Sequence, residues 1–148
     1  MERPATVLAR PTVAARLKDV AALFKLRLTF LVVVSCLLGY AMGLPAGAWD
    51  LVNVLLLALA GTLVTGSSNA FNQVIEVRAD MLMQRTAGRP LARASMGLLE
   101  ASLVAVISGG LGIWLLWATF GQLTAVLSLL SLFMYVALYT PMKRFTAW

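Results

Sequence analysis

The sequence predicts an all-α integral membrane protein, a bundle of about four transmembrane helices, on three observations. Of its 148 residues, 61% are apolar and 12% charged, and the mean hydropathy of +0.89 lies well outside the range of soluble domains. Uncharged, mostly apolar runs occupy residues 28–49, 51–75 and 101–142, each long enough for the roughly 20 residues that span a bilayer as a helix. The charged residues gather between these runs, not within them.

Taken in chain order, residues 1–22 read as a solvated tail and residues 23–148 as the membrane domain, with a first span near 28–49 and a second near 51–75. The last run is long enough for two spans, and Gly121-Gln122 near its middle is the natural turn, which sets spans near 96–119 and 123–141. Gly109, Gly110 and Gly112 suit close helix packing, and Trp114, Trp117 and Trp148 suit interfacial anchoring.

The cations orient the bundle. Arg3, Arg10, Arg16, Lys18, Lys25 and Arg27 precede the first span, Arg78, Arg85, Arg89 and Arg93 follow the second, and Lys143-Arg144 follow the fourth. The connection at 44–50 and the turn at Gly121 carry none. The amino terminus, the 80–93 loop and Lys143-Arg144 are then cytoplasmic, with residues 44–50 outside. The reading is a bacterial cell inner membrane, with a mitochondrial inner membrane as the alternative because the acid-poor leader also fits a short presequence. Ala46-Gly47-Ala48 after an apolar stretch also matches a secretory cleavage site, but three further spans make the first span more simply an anchor.

Composition excludes several function classes. The net charge of +6 sits at helix ends and not along a soluble face interleaved with aromatics, which argues against nucleic acid. Cys36 is the only cysteine and lies within the first span, which excludes paired-cysteine metal sites and internal disulfides. The absence of histidine removes His-based zinc sites, His general bases and His ligation of haem iron.

One polar island remains. Residues 69–93 read NAFNQVIEVRADMLMQRTAGRPLAR, with two acids, four arginines, two asparagines and two glutamines beside a span. If the second helix continues through it, Asn72, Glu76 and Asp80 recur every four residues on one face, drifting by only about 40° per step. Oxygen ligands so stacked suit a hard cation, and Mg²⁺ usually takes one or two carboxylates and completes its sphere with water and substrate phosphate. Arg85 and Arg89 offer planar forks for phosphate oxygens, on a segment that Gly88 and Pro90 mark as a turn. The competing reading is an ordinary loop in which Glu76 and Asp80 pair internally with Arg78, Arg85 or Arg89. Asn69, Asn72 and Gln73 favour a site, because polar groups near the end of an apolar span are costly unless buried against partners or a cavity.

At these residues the chain resembles the UbiA-type intramembrane prenyltransferases, whose first signature is an Asn followed by two acids four apart, here Asn72, Glu76 and Asp80. The string Asp80-x-x-Met83-x-Arg85-Thr86-x-x-Arg89-Pro90-Leu91 resembles more narrowly the protohaem IX farnesyltransferase, or haem O synthase, branch. Lys25-Leu26-Arg27 resembles a Lys-Pro-Arg before the family's first span, and Tyr139-Thr140-Pro141-Met142-Lys143-Arg144 its Tyr-Thr-Pro-Leu-Lys-Arg segment. Departures are Leu26 in place of proline, Glu76 where Asp is usual, and Leu91-Ala92-Arg93 without the Pro-x-Gly that often follows. The family has about nine spans and a second acidic signature, so the chain resembles its first half.

The resemblance implies transfer of farnesyl from farnesyl diphosphate to a vinyl carbon of haem b, giving haem O, with Mg²⁺ as cofactor and haem as substrate. It implies catalytic roles for Asn72, Glu76, Asp80, Arg85 and Arg89, metal ligation by Asn72, Glu76 and Asp80, and substrate contacts by Asn69, Gln73, Lys25, Arg27, Tyr139, Lys143 and Arg144. Expected partners are the lipid bilayer and a carboxy-terminal half or haem A synthase, and residues 1–148 alone are not expected to be competent. Glu100 is expected to be a solvated helix-end acid, and the polar column to face lipid on one side. A prenyltransferase with an aromatic acceptor and a non-catalytic membrane scaffold remain the alternatives.

Overall fold

A computed structural model describes residues 12–140 and 142. Five α-helices follow one another: α1 (Val13–Leu23), α2 (Leu26–Gly43), α3 (Leu51–Leu82), α4 (Leu98–Phe120) and α5 (Gln122–Phe133), the last running on into a wider π turn at Met134–Tyr139. Four segments are long and apolar enough to cross a membrane, Leu26–Gly43, Leu51–Leu82, Leu98–Phe120 and Gln122–Tyr139. Their outward faces carry exposed Phe30, Leu38, Ile107, Trp114 and Leu127, as lipid-facing surfaces do. The chain is therefore an integral membrane protein built only from helices among its described residues.

Local chemistry sets the boundaries. The Thr12 hydroxyl accepts from the Ala15 amide at 3.3 Å and starts α1, so residues 13–22, read from sequence as part of a tail, are helical. The stripe Val20, Leu23 and Phe24 then packs onto Ala70, Leu91, Met96, Ala101 and Ala105, which gives this short helix the tertiary support it lacks alone. At Lys25 the backbone turns left-handed with φ +49 and breaks the rod before α2 begins. Pro45 and Gly47, at φ +86, end the first span at Gly43. The Asp50 carboxylate accepts from the Val52 amide at 3.0 Å and caps α3. With 32 residues, α3 is about 48 Å long against a hydrocarbon core of about 30 Å, so one end projects well into an interface. Gly121, at φ +90, makes the turn into α5.

The core is the contact of α3 with α4, flanked by α2 on α3 and α5 on α4. Small residues permit it: a Cβ on Gly109 would lie 2.6 Å from the Ser67 hydroxyl, and one on Gly112 only 3.1 Å from the Ala60 carbonyl oxygen. Ser67 donates to the Ala105 carbonyl across this contact at 2.7 Å. Gly66 receives the Phe24 ring, which would meet a Cβ at 2.2 Å. Gly110 faces open space. These contacts place the end of α3, the α1–α2 break, the α3–α4 connection and the π turn at one charge-bearing end of the bundle.

Candidate functional site

The polar residues of α3 form two neighbouring rows on one side of the helix, offset on average by about 40°, and the rows make different contacts. Asn69 and Gln73 face the α1–α2 break. Asn69 Nδ2 donates to the Phe24 carbonyl at 3.1 Å and to Thr29 Oγ1 at 3.3 Å, and Thr29 Oγ1 itself donates to the Phe24 carbonyl at 2.7 Å. Gln73 Nε2 donates to the carbonyls of Ala22 at 3.2 Å and Leu23 at 2.8 Å. The carbonyls at this helix end lack an intrahelical partner; that of Ala22 also accepts from the Lys25 amide at 3.2 Å, and the side chains complete a set whose loss in an apolar setting would be costly. Asn69 and Gln73 thereby hold the bend at Lys25.

Asn72, Glu76 and Asp80 form the other row, and all three are buried, at 2%, 7% and 4% exposure. The sequence led us to expect this column to face lipid on one side; instead the chain after Leu82 folds back over it. Thr86 donates its hydroxyl to the Asp80 carbonyl at 3.1 Å. The amides of Thr86 and Ala87 both reach the Met83 carbonyl, at 3.1 and 2.9 Å, and that of Arg89 reaches the Thr86 carbonyl at 3.0 Å. Pro90 and Leu91 are buried beneath the turn. The guanidinium of Arg89 thus arrives 2.6 Å from Asp80 and 3.9 Å from Glu76. Arg78 and Arg85 are exposed.

The remaining predicted residues lie around this centre. Lys25 is half-buried at the break and Arg27 is exposed beside it. Tyr139 stacks on Tyr135 with ring centroids 5.1 Å apart. Tyr135 and Asn69 line a mainly apolar cleft of about 350 Å³ together with Leu28, Val32, Val64 and Leu132. Lys143 and Arg144 lie outside the described residues. Glu100 pairs with Arg16 at 2.6 Å and is partly exposed. Sequence reasoning missed Asp19, Thr86 and Tyr135. Asp19 had one signal, being an acid between cations, whereas Tyr135 had only its position one turn before Tyr139.

The donor set suits a hard divalent cation. The Asn72 Oδ1 and Gln73 Oε1 atoms are buried without a hydrogen-bond partner, and such an orphaned oxygen costs about 1–3 kcal/mol unless a ligand meets it. Asn72 Oδ1 belongs to the same α3 face as the two buried carboxylates, giving three oxygen-bearing side chains of the kind Mg²⁺ prefers. Among the described residues no cluster of three or more acidic or cysteine side chains forms. Two carboxylates and one amide oxygen could supply only part of a coordination sphere, which phosphate oxygens and water would have to complete. Arg89 pairs with both acids, and its guanidinium is equally suited to a phosphate.

The chain is similar to known proteins over most of its length. A model described as the UbiA prenyltransferase family matches residues 32–148. The chain is 41% identical over 133 residues to a protein of Christiangramia forsetii named protoheme IX farnesyltransferase, covering 90% of this chain and 43% of that one. A protein of the same name from Koribacter versatilis is 39% identical over 145 residues, with 91% and 44% covered. A mitochondrial protoheme IX farnesyltransferase of Yarrowia lipolytica is 38% identical over 123 residues, with 83% and 26% covered. The chain thus spans less than half the length of these relatives. No solved structure matches it.

Proposed function

Because the chain belongs to the UbiA prenyltransferase family, we propose that it forms the diphosphate-binding half of a protohaem IX farnesyltransferase, which transfers farnesyl from farnesyl diphosphate to a vinyl carbon of haem b and yields haem O. The observation that carries this reading is the buried column Asn72, Glu76 and Asp80 with Arg89 folded onto it. Names shared by relatives supply the two substrates. We further propose Mg²⁺ as the cation, and a bacterial inner membrane with the charge-bearing end, and hence the site, on the cytoplasmic side.

Bound Mg²⁺ supplies Lewis-acid stabilisation of the charge that develops on the departing diphosphate. Asn72, Glu76 and Asp80 hold it. Arg89, and Arg85 at the rim, act as preorganised donors to the diphosphate oxygens, which matters most in a water-poor site where charge is stabilised strongly. As the C–O bond of the allylic diphosphate breaks, the electron pair leaves with the diphosphate and the farnesyl carbon gains carbocation character. A vinyl carbon of haem b then forms the new C–C bond, and water adds to the resulting cation and gives up a proton to the released diphosphate or solvent, leaving the hydroxyl group. The mainly apolar cleft between Asn69 and Tyr135 takes the isoprenoid chain. Asn69 and Gln73 contribute by fixing the bend that presents Lys25 and Arg27 at the same end.

Residues 1–148 hold only two acids in this column, so the opposing ligands come from a further segment or partner. The test is haem O production in cells lacking haem O synthase. Residues 1–148 expressed alone should yield none, and co-expression with the carboxy-terminal half of a complete relative should restore it. Haem O from residues 1–148 alone would place every ligand within this chain and overturn the half-site reading.

A further inference from the structure

The turn that carries Arg89 is tied down at its far side by a buried acid on another helix. Asp19 of α1 is only 4% exposed and pairs with the Arg93 guanidinium. Arg93 is bound one turn after Arg89, its amide reaching the Arg89 carbonyl at 2.9 Å, and its Nε donates to Ser95 Oγ at 3.0 Å. Ser95 closes the loop in turn, its amide donating to the Pro90 carbonyl at 3.0 Å and its hydroxyl at 3.3 Å. Ala94 turns the chain with φ +58, a conformation that costs a residue with a Cβ about 1–2 kcal/mol and so needs such support. α1 is itself held by Gln73 at Ala22 and Leu23 and by Arg16 on Glu100 of α4.

We propose that Asp19 is a positioning residue: through Arg93 it clamps the 83–96 turn so that Arg89 is delivered to Asp80 and Glu76. The two ends of this short turn are anchored on carboxylates of different helices, Arg89 on Asp80 of α3 and Arg93 on Asp19 of α1. When Arg89 leaves Asp80 for a phosphate, the Asp19–Arg93 pair keeps the backbone in place, so only the side chain moves. Removing the acid leaves Arg93, whose side chain is 45% exposed, free to turn to solvent, and the turn loses its far anchor. This inference rests on the assignment of Arg89 to the diphosphate, but its first test needs no ligand.

Hydrogen exchange of the purified chain is compared for wild type, Asp19→Asn and Asp19→Glu. Asp19→Asn should speed exchange of the amides in 83–96 by about tenfold while the middle of α3 and of α4 keep their protection, as expected for local rather than global opening. Asp19→Glu, which keeps the carboxylate, should stay close to wild type. Binding of farnesyl diphosphate with Mg²⁺ is measured on the same samples, and Asp19→Asn should weaken it by about tenfold through misplacement of Arg89. Unchanged exchange in 83–96, acceleration throughout α3 and α4, or looser exchange with unaltered affinity would each overturn the positioning role. If wild type binds no farnesyl diphosphate even beside the carboxy-terminal half of a complete relative, the prenyltransferase reading fails, and the exchange pattern still decides whether Asp19 holds the turn.

Discussion

Replacing Arg89 with glutamine should move two affinities in opposite directions. The guanidinium lies 2.6 Å from Asp80 and 3.9 Å from Glu76, with the two carboxylate side chains only 6% and 9% exposed and that of Arg89 23% exposed. At an effective dielectric near 20, those separations correspond to attractions of about 6 and about 4 kcal/mol before desolvation is subtracted. Breaking a buried pair by removing one partner costs about 3–5 kcal/mol net, and the partial exposure of Arg89 argues for the lower end. The glutamine variant should therefore be destabilised without metal. It should also bind Mg²⁺ alone about tenfold more tightly, since the cation no longer displaces a guanidinium and tenfold corresponds to only about 1.4 kcal/mol of the lost competition. Farnesyl diphosphate should bind about ten- to a hundredfold more weakly in saturating Mg²⁺, because charge-assisted hydrogen bonds are worth about 1.5–3 kcal/mol each. Calorimetric titration of the detergent-solubilised chain with Mg²⁺, and then with farnesyl diphosphate, reads both. If both affinities fall together, or neither moves, Arg89 is not a counter-ion that exchanges carboxylate for phosphate.

Asn72→Leu should leave thermal stability without metal unchanged or raised, because it removes a buried oxygen that has no hydrogen-bond partner, while Mg²⁺ affinity falls; a large loss of stability without metal would show that Asn72 is structural. Gly112→Ala should cost about 1–3 kcal/mol by overpacking, since its Cβ would sit 2.8 Å from Val64 and 3.1 Å from the Ala60 carbonyl oxygen, whereas Gly110→Ala meets nothing within 4 Å and should be silent in the same unfolding assay. In a Cys36→Ser background, a cysteine at Ala87 should be labelled by an impermeant reagent only from the cytoplasmic side and one at Ala48 only from outside; the reverse pattern would invert the topology.

Much of the fold was legible because hydrocarbon imposes a simple rule: apolar runs of span length become helices. The turn at Gly121, the glycine-mediated contact of α3 with α4 and the continuation of α3 through Asp80 all follow from residues visible in the sequence. Helix α1 was not legible, because an 11-residue segment with cations and one acid resembles a solvated tail until its contacts with α3 and the loop are seen. The π turn at Met134–Tyr139 had no sequence signal, since none of its residues breaks an α-helix. For the site, spacing alone showed that Asn72, Glu76 and Asp80 share a face. It did not separate Asn69 and Gln73, whose amides bind backbone carbonyls 45 to 51 residues earlier. Nor did it show which arginine meets the acids, because that depends on how the 83–96 turn folds back. Of the competing readings of the polar island, internal ion pairing is what Arg89 makes with Asp80 and Glu76, and the proposed ligand site engages the same residues.

The most direct test of the central claim is Mg²⁺-dependent binding of farnesyl diphosphate to the purified chain, measured for wild type, Asp80→Asn and Glu76→Gln. Wild type should bind only when Mg²⁺ is present, and each carboxylate-to-amide change should abolish that dependence while circular dichroism shows the helices intact. Binding that is indifferent to Mg²⁺, or that survives both substitutions at full strength, would contradict a metal-bridged diphosphate site on the α3 column.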